Sequence, residues 1–192
     1  MRRVHKMVLT ALMVSAAFVI AVLMKLMPLM AMPNGGSISL AMLPIFIVGF
    51  MLGPKYGFMA GIAYGLLNFL SDGYAFHWAS LIFDYLVAFG CLGISGFFAR
   101  YALRGYKPIN YIYFALGMII PSILRFASHT ISGVIAYDTA WMASMAYNGP
   151  YVFASMLCCL VVGFLIYPFL MNYMQEEKNH INSVITFFPP RR

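Results

Sequence analysis

The sequence predicts an all-α integral membrane protein with six transmembrane helices and cytoplasmic N- and C-termini. Hydrophobic residues make up 63% of the 192 residues and charged residues only 9%, whereas a soluble domain carries about 25% charged residues. The apolar residues fall into runs separated by short polar segments, and a membrane-crossing helix needs roughly 20 such residues. The basic residues concentrate in alternate connecting segments, which is the pattern that orients membrane proteins.

Six apolar runs define the predicted helices. The first run is longer than the roughly 7–15 apolar residues of a signal peptide, so we expect a retained helix. The next two runs are short, and the intervening stretch LGPKYG, residues 52–57, predicts a tight hairpin because Gly and Pro break helices. The runs are Val8–Met27, Ile38–Leu52, Tyr56–Leu70, Trp78–Ala99, Tyr111–Tyr137 and Tyr147–Met171. We expect residues 1–175 to form a single six-helix membrane domain and residues 176–192 a polar cytoplasmic tail.

The charge distribution sets the expected orientation. With a cytoplasmic N-terminus, ten of the twelve Lys and Arg residues lie on the inner side, and the exceptions are Lys25 and Arg125. The predicted outer loops carry Asp72 and Asp138. Five or seven spans would break this agreement with the positive-inside rule. The net charge of +7 therefore indicates orientation in a cell membrane, and we expect the lipid bilayer rather than nucleic acid as the partner of this chain.

Small residues indicate where helices approach closely. Gly57, Gly61 and Gly65 share one face of the third predicted helix, and we interpret them as an intramolecular packing face. Ala17 and Ala21 form a similar face on the first helix. There, packing within the chain and docking of another membrane subunit remain equal alternatives.

Ionisable residues inside the predicted spans mark a candidate site, because they are costly in lipid and usually face a cavity or a partner. Asp84 lies six residues into the fourth helix, about 9 Å below its outer end. Arg125 and His129 are spaced by four residues and share a face of the fifth helix, and Asn148 begins the sixth. These groups lie at one depth and could converge on a pocket that opens outward.

Aromatic residues are dense at the same depth. A carboxylate among aromatic rings suits a flat organic cation, because each ring face adds about 0.5–2 kcal/mol. His129 and Asn148 could orient such a ligand by hydrogen bonds. A structural Asp84–Arg125 pair, with the aromatic residues simply at the membrane interface, is an equal alternative on these residues alone. The aromatic set is Tyr74, Trp78, Tyr85, Tyr137, Trp141, Tyr147 and Tyr151.

An intramembrane enzyme with Asp84 and His129 as base and acid is a weaker hypothesis. Such chemistry needs a reacting group within hydrogen-bond reach, and the sequence shows no nucleophile pair, second carboxylate or metal cluster beside them. It also contains no G-x-x-x-x-G-K-[ST] phosphate-binding motif. We therefore expect no catalytic residue, no cofactor and no metal, and any energy for transport would come from partner proteins.

Four stretches resemble the thiamine-specific substrate-binding component of energy-coupling factor transporters. They occur in the same order as in that family and extend from residue 32 to residue 152. Their combination is specific, although a short piece such as GGSIS would be weak evidence by itself. The stretches are MPNGGSISLAMLPIFIVGFMLGPKYGFMAGIAYGLLN (32–68), FDYLVAFGCLGISG (83–96), LRFASHTISGVIAY (124–137) and AYNGPYV (146–152).

The resemblance implies a six-helix membrane protein that captures thiamine from outside and works with a transmembrane coupling subunit and two ATP-binding subunits. Asp84 and Tyr85 match the family's acidic residue followed by Tyr, and Tyr74 matches its Tyr before the fourth helix. His129 and Asn148 match the His and the Asn that contact thiamine in the family. Ala17 and Ala21 are the nearest match to the Ala-x-x-x-Ala face that contacts the coupling subunit.

Two positions depart from the family pattern. Ala143 stands where the family carries a binding Tyr, so we expect Trp141 or Tyr137 to fill that place. A Trp found in the first outer loop of related proteins has no counterpart near Asn34.

The resulting hypothesis is that Asp84 offsets the thiazolium charge of thiamine. The ligand rings would lie against Tyr74, Tyr85 and Trp141, with Tyr137 and Tyr147 completing the aromatic wall, while His129 and Asn148 would bind the pyrimidine or hydroxyl end. Another vitamin, or a thiamine precursor such as a hydroxymethylpyrimidine, is the alternative ligand in the same fold.

Overall fold

The structure is a computed structural model that describes residues 3–27, 32, 36–72 and 77–187, without the side chains of residues 72 and 178–187. The described residues form helices joined by short connections, which confirms the prediction of an all-α protein. The helices are α1 (Arg3–Lys25), α2 (Met42–Leu52), α3 (Pro54–Asp72), α4 (Trp78–Ala102), α5 (Pro108–Tyr137) and α6 (Trp141–Phe187).

Within the described ranges, four helical stretches are long and apolar enough to cross a membrane: Arg3–Lys25, Trp78–Ala102, Pro108–Tyr137 and Trp141–Glu177. Helix α2 is apolar but only 11 residues long, and α3 has 19 residues. The protein is therefore helical and built for a membrane, in agreement with its composition.

The predicted hairpin between α2 and α3 is present. Gly53 ends α2 at φ 89° and its N–H donates to the Gly49 carbonyl; this left-handed region is accessible to glycine at little cost. Pro54 then begins α3, where its missing N–H costs nothing.

Helix α6 differs from the predicted sixth run at both ends. It begins at Trp141 rather than Tyr147 and continues beyond Met171 to Phe187. Asn148, predicted at the start of this helix, therefore lies about two turns inside it. The predicted C-terminal end lies where hydrophobicity falls. The helix continues beyond it because Gln, Glu and Lys are good helix formers.

Helix α4 changes its winding twice along its length. Leu81–Val87 forms a π-helical segment and Cys91–Ile94 a 3₁₀ segment. The Phe83 carbonyl in the π segment accepts a hydrogen bond from the Ser128 hydroxyl of α5 at 2.5 Å. Wide turns of this type are frequent at functional sites, and this one carries Asp84 and Tyr85.

The glycine face of α3 packs against α4, which confirms the intramolecular interpretation. A Cβ on Gly61 would collide with the Phe89 carbonyl, and a Cβ on Gly65 would collide with the Tyr85 carbonyl. The backbones of α3 and α4 can approach this closely only because α3 lacks side chains there. Gly65 therefore lets α3 pack directly against the backbone of Tyr85, a candidate site residue.

The small-residue face of α1 packs within the chain. Ala17 is 0% exposed and Ala21 is 2% exposed, and both belong to the hydrophobic core. The structure thus favours the packing alternative for these two alanines. The docking surface predicted at Ala17 and Ala21 is not accessible in this conformation.

The end of the bundle opposite Asp84 is fixed by aromatic packing and by the Tyr167 hydroxyl, whose single proton is shared between two carbonyl oxygens. The Tyr167 hydroxyl on α6 lies 2.7 Å from both the Ala102 and the Gly105 carbonyl oxygens at the α4–α5 turn. The Phe50 and Phe114 rings stack with centroids 4.7 Å apart. These contacts hold α4, α5 and α6 together, so that their other ends can enclose a cavity.

Gly61→Ala tests the close approach of α3 and α4. The added methyl group meets the Phe89 carbonyl. We therefore expect the free energy of unfolding to fall by about 1–3 kcal/mol, which is typical of overpacking, although Ala has the better helix propensity. The measurement is the thermal unfolding midpoint in detergent.

The matched control is Gly90→Ala, on the facing helix, where an added Cβ would make only an ordinary contact with Ile62. We expect its midpoint to stay at or slightly above that of the wild type. Equal midpoints for Gly61→Ala and the wild type would contradict the packing described.

Candidate functional site

A cavity of about 460 Å³ lies between the helices near the start of α4 and the end of α5. This volume is within the roughly 300–1,000 Å³ of small-molecule pockets. Residues of α1, α3, α4, α5 and α6 contribute to its wall, as do residues 36–42 around the start of α2. Among the described residues that line it, Asp84 is the acidic side chain.

Asp84 is held in place by three hydrogen bonds. Its Oδ2 atom accepts from the Ser80 hydroxyl at 2.8 Å and from the Ser132 hydroxyl at 2.5 Å. Its Oδ1 atom lies 2.9 Å from His129 Nδ1. The side chain is 20% exposed and lines the cavity. Donors on the charged form stabilise a buried carboxylate, so this arrangement presents a negative charge to the cavity.

His129 connects Asp84 to Arg125. Arg125 Nε donates to His129 Nε2 at 3.1 Å. A guanidinium has donors and no acceptor, so Nε2 must carry a lone pair, and the ring proton then lies on Nδ1 and points to Asp84. The network therefore assigns His129 as a neutral ring in the Nδ1–H tautomer, and both ring nitrogens are occupied.

Arg125 does not pair directly with Asp84 among the described residues. It is 6% exposed, lines the cavity, and its guanidinium carbon lies 4.7 Å from the centroid of the Phe89 ring. That distance is within the range of a cation–π contact. The direct Asp84–Arg125 pair weighed from the sequence is thus replaced by a chain of three side chains with His129 in the middle.

Asn148 is positioned by its own helix and by a neighbouring tyrosine. Its Nδ2 donates to the Ser144 carbonyl at 2.9 Å, and its Oδ1 accepts from the Tyr151 hydroxyl at 2.6 Å. The Tyr151 ring, 3% exposed, meets the His129 ring edge-on at 5.9 Å between centroids. Asn148, Tyr151 and His129 all line the cavity.

The other predicted residues divide into three groups. Tyr85, Tyr137 and Tyr147 line the cavity; Tyr85 is buried against Phe69, and Tyr137 is half-exposed with its hydroxyl 3.3 Å from Ser80 Oγ. Trp141 is 58% exposed and is not part of the described cavity wall, whereas Ala143 is. The reason is the helical register, since residues two apart on α6, such as Trp141 and Ala143, point about 160° apart. Tyr74 and Asn34 lie outside the described residues.

Two residues that donate hydrogen bonds to Asp84 were not predicted from the sequence. Ser80 precedes Asp84 by four residues and Ser132 follows His129 by three. Both spacings place the serine on the same helix face as its partner. This pattern could have indicated the two donors, but serine at such spacings is too common in helices to single them out.

The wall formed by α1 and α3 carries a further polar contact. Lys25 Nζ donates to Asn68 Oδ1 at 3.0 Å, and both residues line the cavity. Lys25, an exception to the charge pattern, therefore has a role in joining the ends of these two helices.

Comparison with known proteins decides the family. A family model described as "Thiamine transporter protein" matches residues 7–175. The chain belongs to this thiamine transporter family. A relative is the "Thiamine transporter ThiT" of Bacillus subtilis (strain 168), 30% identical over 189 residues that cover 92% of this chain and 97% of the relative.

A solved structure of ThiT from Listeria monocytogenes is similar in fold, with a TM-score of 0.78. The match covers 88% of this chain and 98% of that chain at 23% identity. This thiamine transporter family member is accordingly a multi-pass protein of the cell membrane, as its apolar helices indicate.

Tyr151→Phe tests the wall of the site. The substitution removes the donor to Asn148 Oδ1, and losing one partner of a buried hydrogen bond costs about 1–3 kcal/mol. We expect a lower unfolding midpoint in detergent without ligand. Tyr173→Phe, at a 41% exposed position of the same helix, should leave the midpoint unchanged. Identical midpoints for both variants would argue against the Tyr151–Asn148 bond.

Proposed function

We propose that this protein is the thiamine-binding membrane component of an energy-coupling factor transporter and captures thiamine from outside the cell. The observation that carries the proposal is the Asp84 carboxyl group at the wall of an aromatic cavity, held by three donors. Family membership supplies the ligand class.

The cavity suits the charge and shape of thiamine. The thiazolium ring is flat and permanently cationic, so it gains from a carboxylate and from aromatic faces. We assign the counter-charge to Asp84 and the ring contacts to Tyr85, Tyr137 and Tyr147, which line the cavity. Tyr151 takes the stacking role expected of Trp141, because it lines the cavity where Trp141 does not. For Tyr74, a ring contact with the ligand is proposed from its resemblance to the family pattern alone.

The hydrogen bonds refine the roles of His129 and Asn148. Both ring nitrogens of His129 are used by Arg125 and Asp84, so His129 would offer its ring face to the ligand rather than a hydrogen bond. An amide oxygen has two lone pairs, and Asn148 Oδ1 uses one for Tyr151. The second lone pair would accept from the amino group of the pyrimidine ring.

We infer six membrane crossings with both termini in the cytoplasm, with residues 1–175 as one membrane domain and residues 176–192 as a cytoplasmic tail. The inference is supported by the distribution of basic residues and by the hairpin at Gly53. In this orientation Asp84 and the cavity lie toward the outer face, where thiamine arrives.

Transport would depend on a transmembrane coupling subunit and two ATP-binding subunits. Ala17 and Ala21 are buried within the chain, so α1 would meet the coupling subunit through its exposed side. Ala11 and Ser15 form a small-residue pair on that side, and such pairs allow close approach of another helix.

Asp84→Asn tests the proposed counter-charge. The substitution keeps the size of the side chain and removes its charge, and truncating one partner of a buried charge pair costs about 2–5 kcal/mol. We expect thiamine affinity to fall roughly 30-fold or more by that estimate. The measurement is isothermal titration of the detergent-solubilised protein with thiamine.

Asp138→Asn is the matched control. Asp138 caps α5 in the left-handed conformation at φ 47°, which Asn also adopts readily, and it is exposed outside the cavity wall. Unchanged affinity in Asp84→Asn would remove Asp84 from the site. Tighter binding of hydroxymethylpyrimidine than of thiamine would replace thiamine with its precursor as the ligand.

A further inference from the structure

We propose that Arg125 is a positioning residue for ligand binding: it holds His129 in the Nδ1–H tautomer, so that Asp84 faces the cavity as an anion beside a neutral imidazole. The proposal rests on the proposed function, because it concerns the binding of a cation at Asp84. It also explains why a buried arginine lies beside a site for a cationic ligand, although its positive charge by itself would repel that ligand.

The first step is geometric. Arg125 Nε lies 3.1 Å from His129 Nε2, and His129 Nδ1 lies 2.9 Å from Asp84 Oδ1. Arginine only donates, so the proton order along this chain is fixed from the arginine end. Arg125 and His129 are one helical turn apart on α5, which aligns them without help from other helices.

The second step is what His129 could do without Arg125. A free Nε2 could take the ring proton, and the Nδ1 lone pair would then face the carboxylate and repel it. Alternatively, Nε2 could gain a second proton, and an imidazolium 2.9 Å from Asp84 would supply the counter-charge that the ligand should supply. The histidine charge changes near physiological pH, so the second state would make binding weaken in acid.

The third step concerns the other groups that face this histidine. Asp84 approaches from α4, and the Tyr151 ring from α6 lies 5.9 Å away; Arg125 is on the same helix. Tyr64 of α3 and Lys25 of α1 line the same cavity. Among these described groups only Asp84 is acidic, so a proton on His129 would cancel the one negative charge offered to a cation.

The tautomer of His129 is measured directly on the wild-type protein. The protein is labelled with ¹⁵N-histidine in detergent, and His129→Gln assigns the His129 resonances. We expect the Nδ1–H tautomer, retained from about pH 7.5 to about pH 5.5, a range in which an ordinary histidine becomes charged. A wild-type Nε2–H tautomer, or a charged ring at about pH 7.5, would overturn the proposal.

Thiamine binding to Arg125→Met supplies the second measurement. The dissociation constant is measured by titration across the same pH range and divided by that of the wild type, which cancels titration of thiamine itself. We expect this ratio to rise about ten-fold per pH unit below the pH at which His129 becomes charged. Arg125→Lys should reduce this pH dependence, because an ammonium group can also donate to Nε2.

Lys25→Met is the matched control, because it removes another cation of the cavity wall, one that donates to Asn68 on α3. Its ratio should not change with pH. A ratio near one at every pH contradicts the proposal and leaves Arg125 a packing role. A uniformly high ratio contradicts it if the ¹⁵N-histidine spectrum of Arg125→Met still shows the Nδ1–H tautomer, and supports it if the ring proton has moved to Nε2. If the wild type binds no thiamine, the proposed function fails, whereas the tautomer measurement still judges the positioning role.

Discussion

The side chain of Asp84 and the donors that hold it are the constraint on which the organisation of this protein depends. A charge withdrawn from water inside a membrane protein persists only if donors and counter-charges replace its hydration. Here the donors come from two helices: Ser80 from α4, and Ser132 and His129 from α5. Asp84 therefore joins α4 and α5 and sets the chemistry of the cavity between them.

The helix packing around Asp84 serves the same requirement. The π-helical segment Leu81–Val87 lets α4 turn both Asp84 and the Phe83 carbonyl toward α5, where Ser128 satisfies the carbonyl. On the other side of α4, the glycine face of α3 allows backbone contact with Tyr85 and Phe89. The result is close backbone packing against α3 and an aromatic cavity that carries Asp84.

The sequence was sufficient for the features that depend on local patterns. Apolar runs predicted the helices, and the hairpin followed from Gly53 and Pro54. The spacing of Arg125 and His129 on one face and the depth of Asp84 placed these residues at one level, and the structure brings them together. The exposed position of Trp141 and the burial of Ala17 could not be predicted, because they depend on the rotation of α6 and α1 about their axes. Similarly, spacing alone could not decide whether Arg125 or His129 meets Asp84.

The way Asp84 is satisfied bears on which cation it can hold. A carboxylate has about four acceptor positions, and three are taken by Ser80, Ser132 and His129. A primary ammonium ion would need acceptors for three N–H groups, and this cavity offers little spare capacity on its acidic side chain. A thiazolium nitrogen carries no N–H and needs only nearby negative charge and polarisable ring faces. A carboxylate whose hydrogen-bonding capacity is mostly used but whose charge remains thus favours a quaternary aromatic cation over an amine of equal charge.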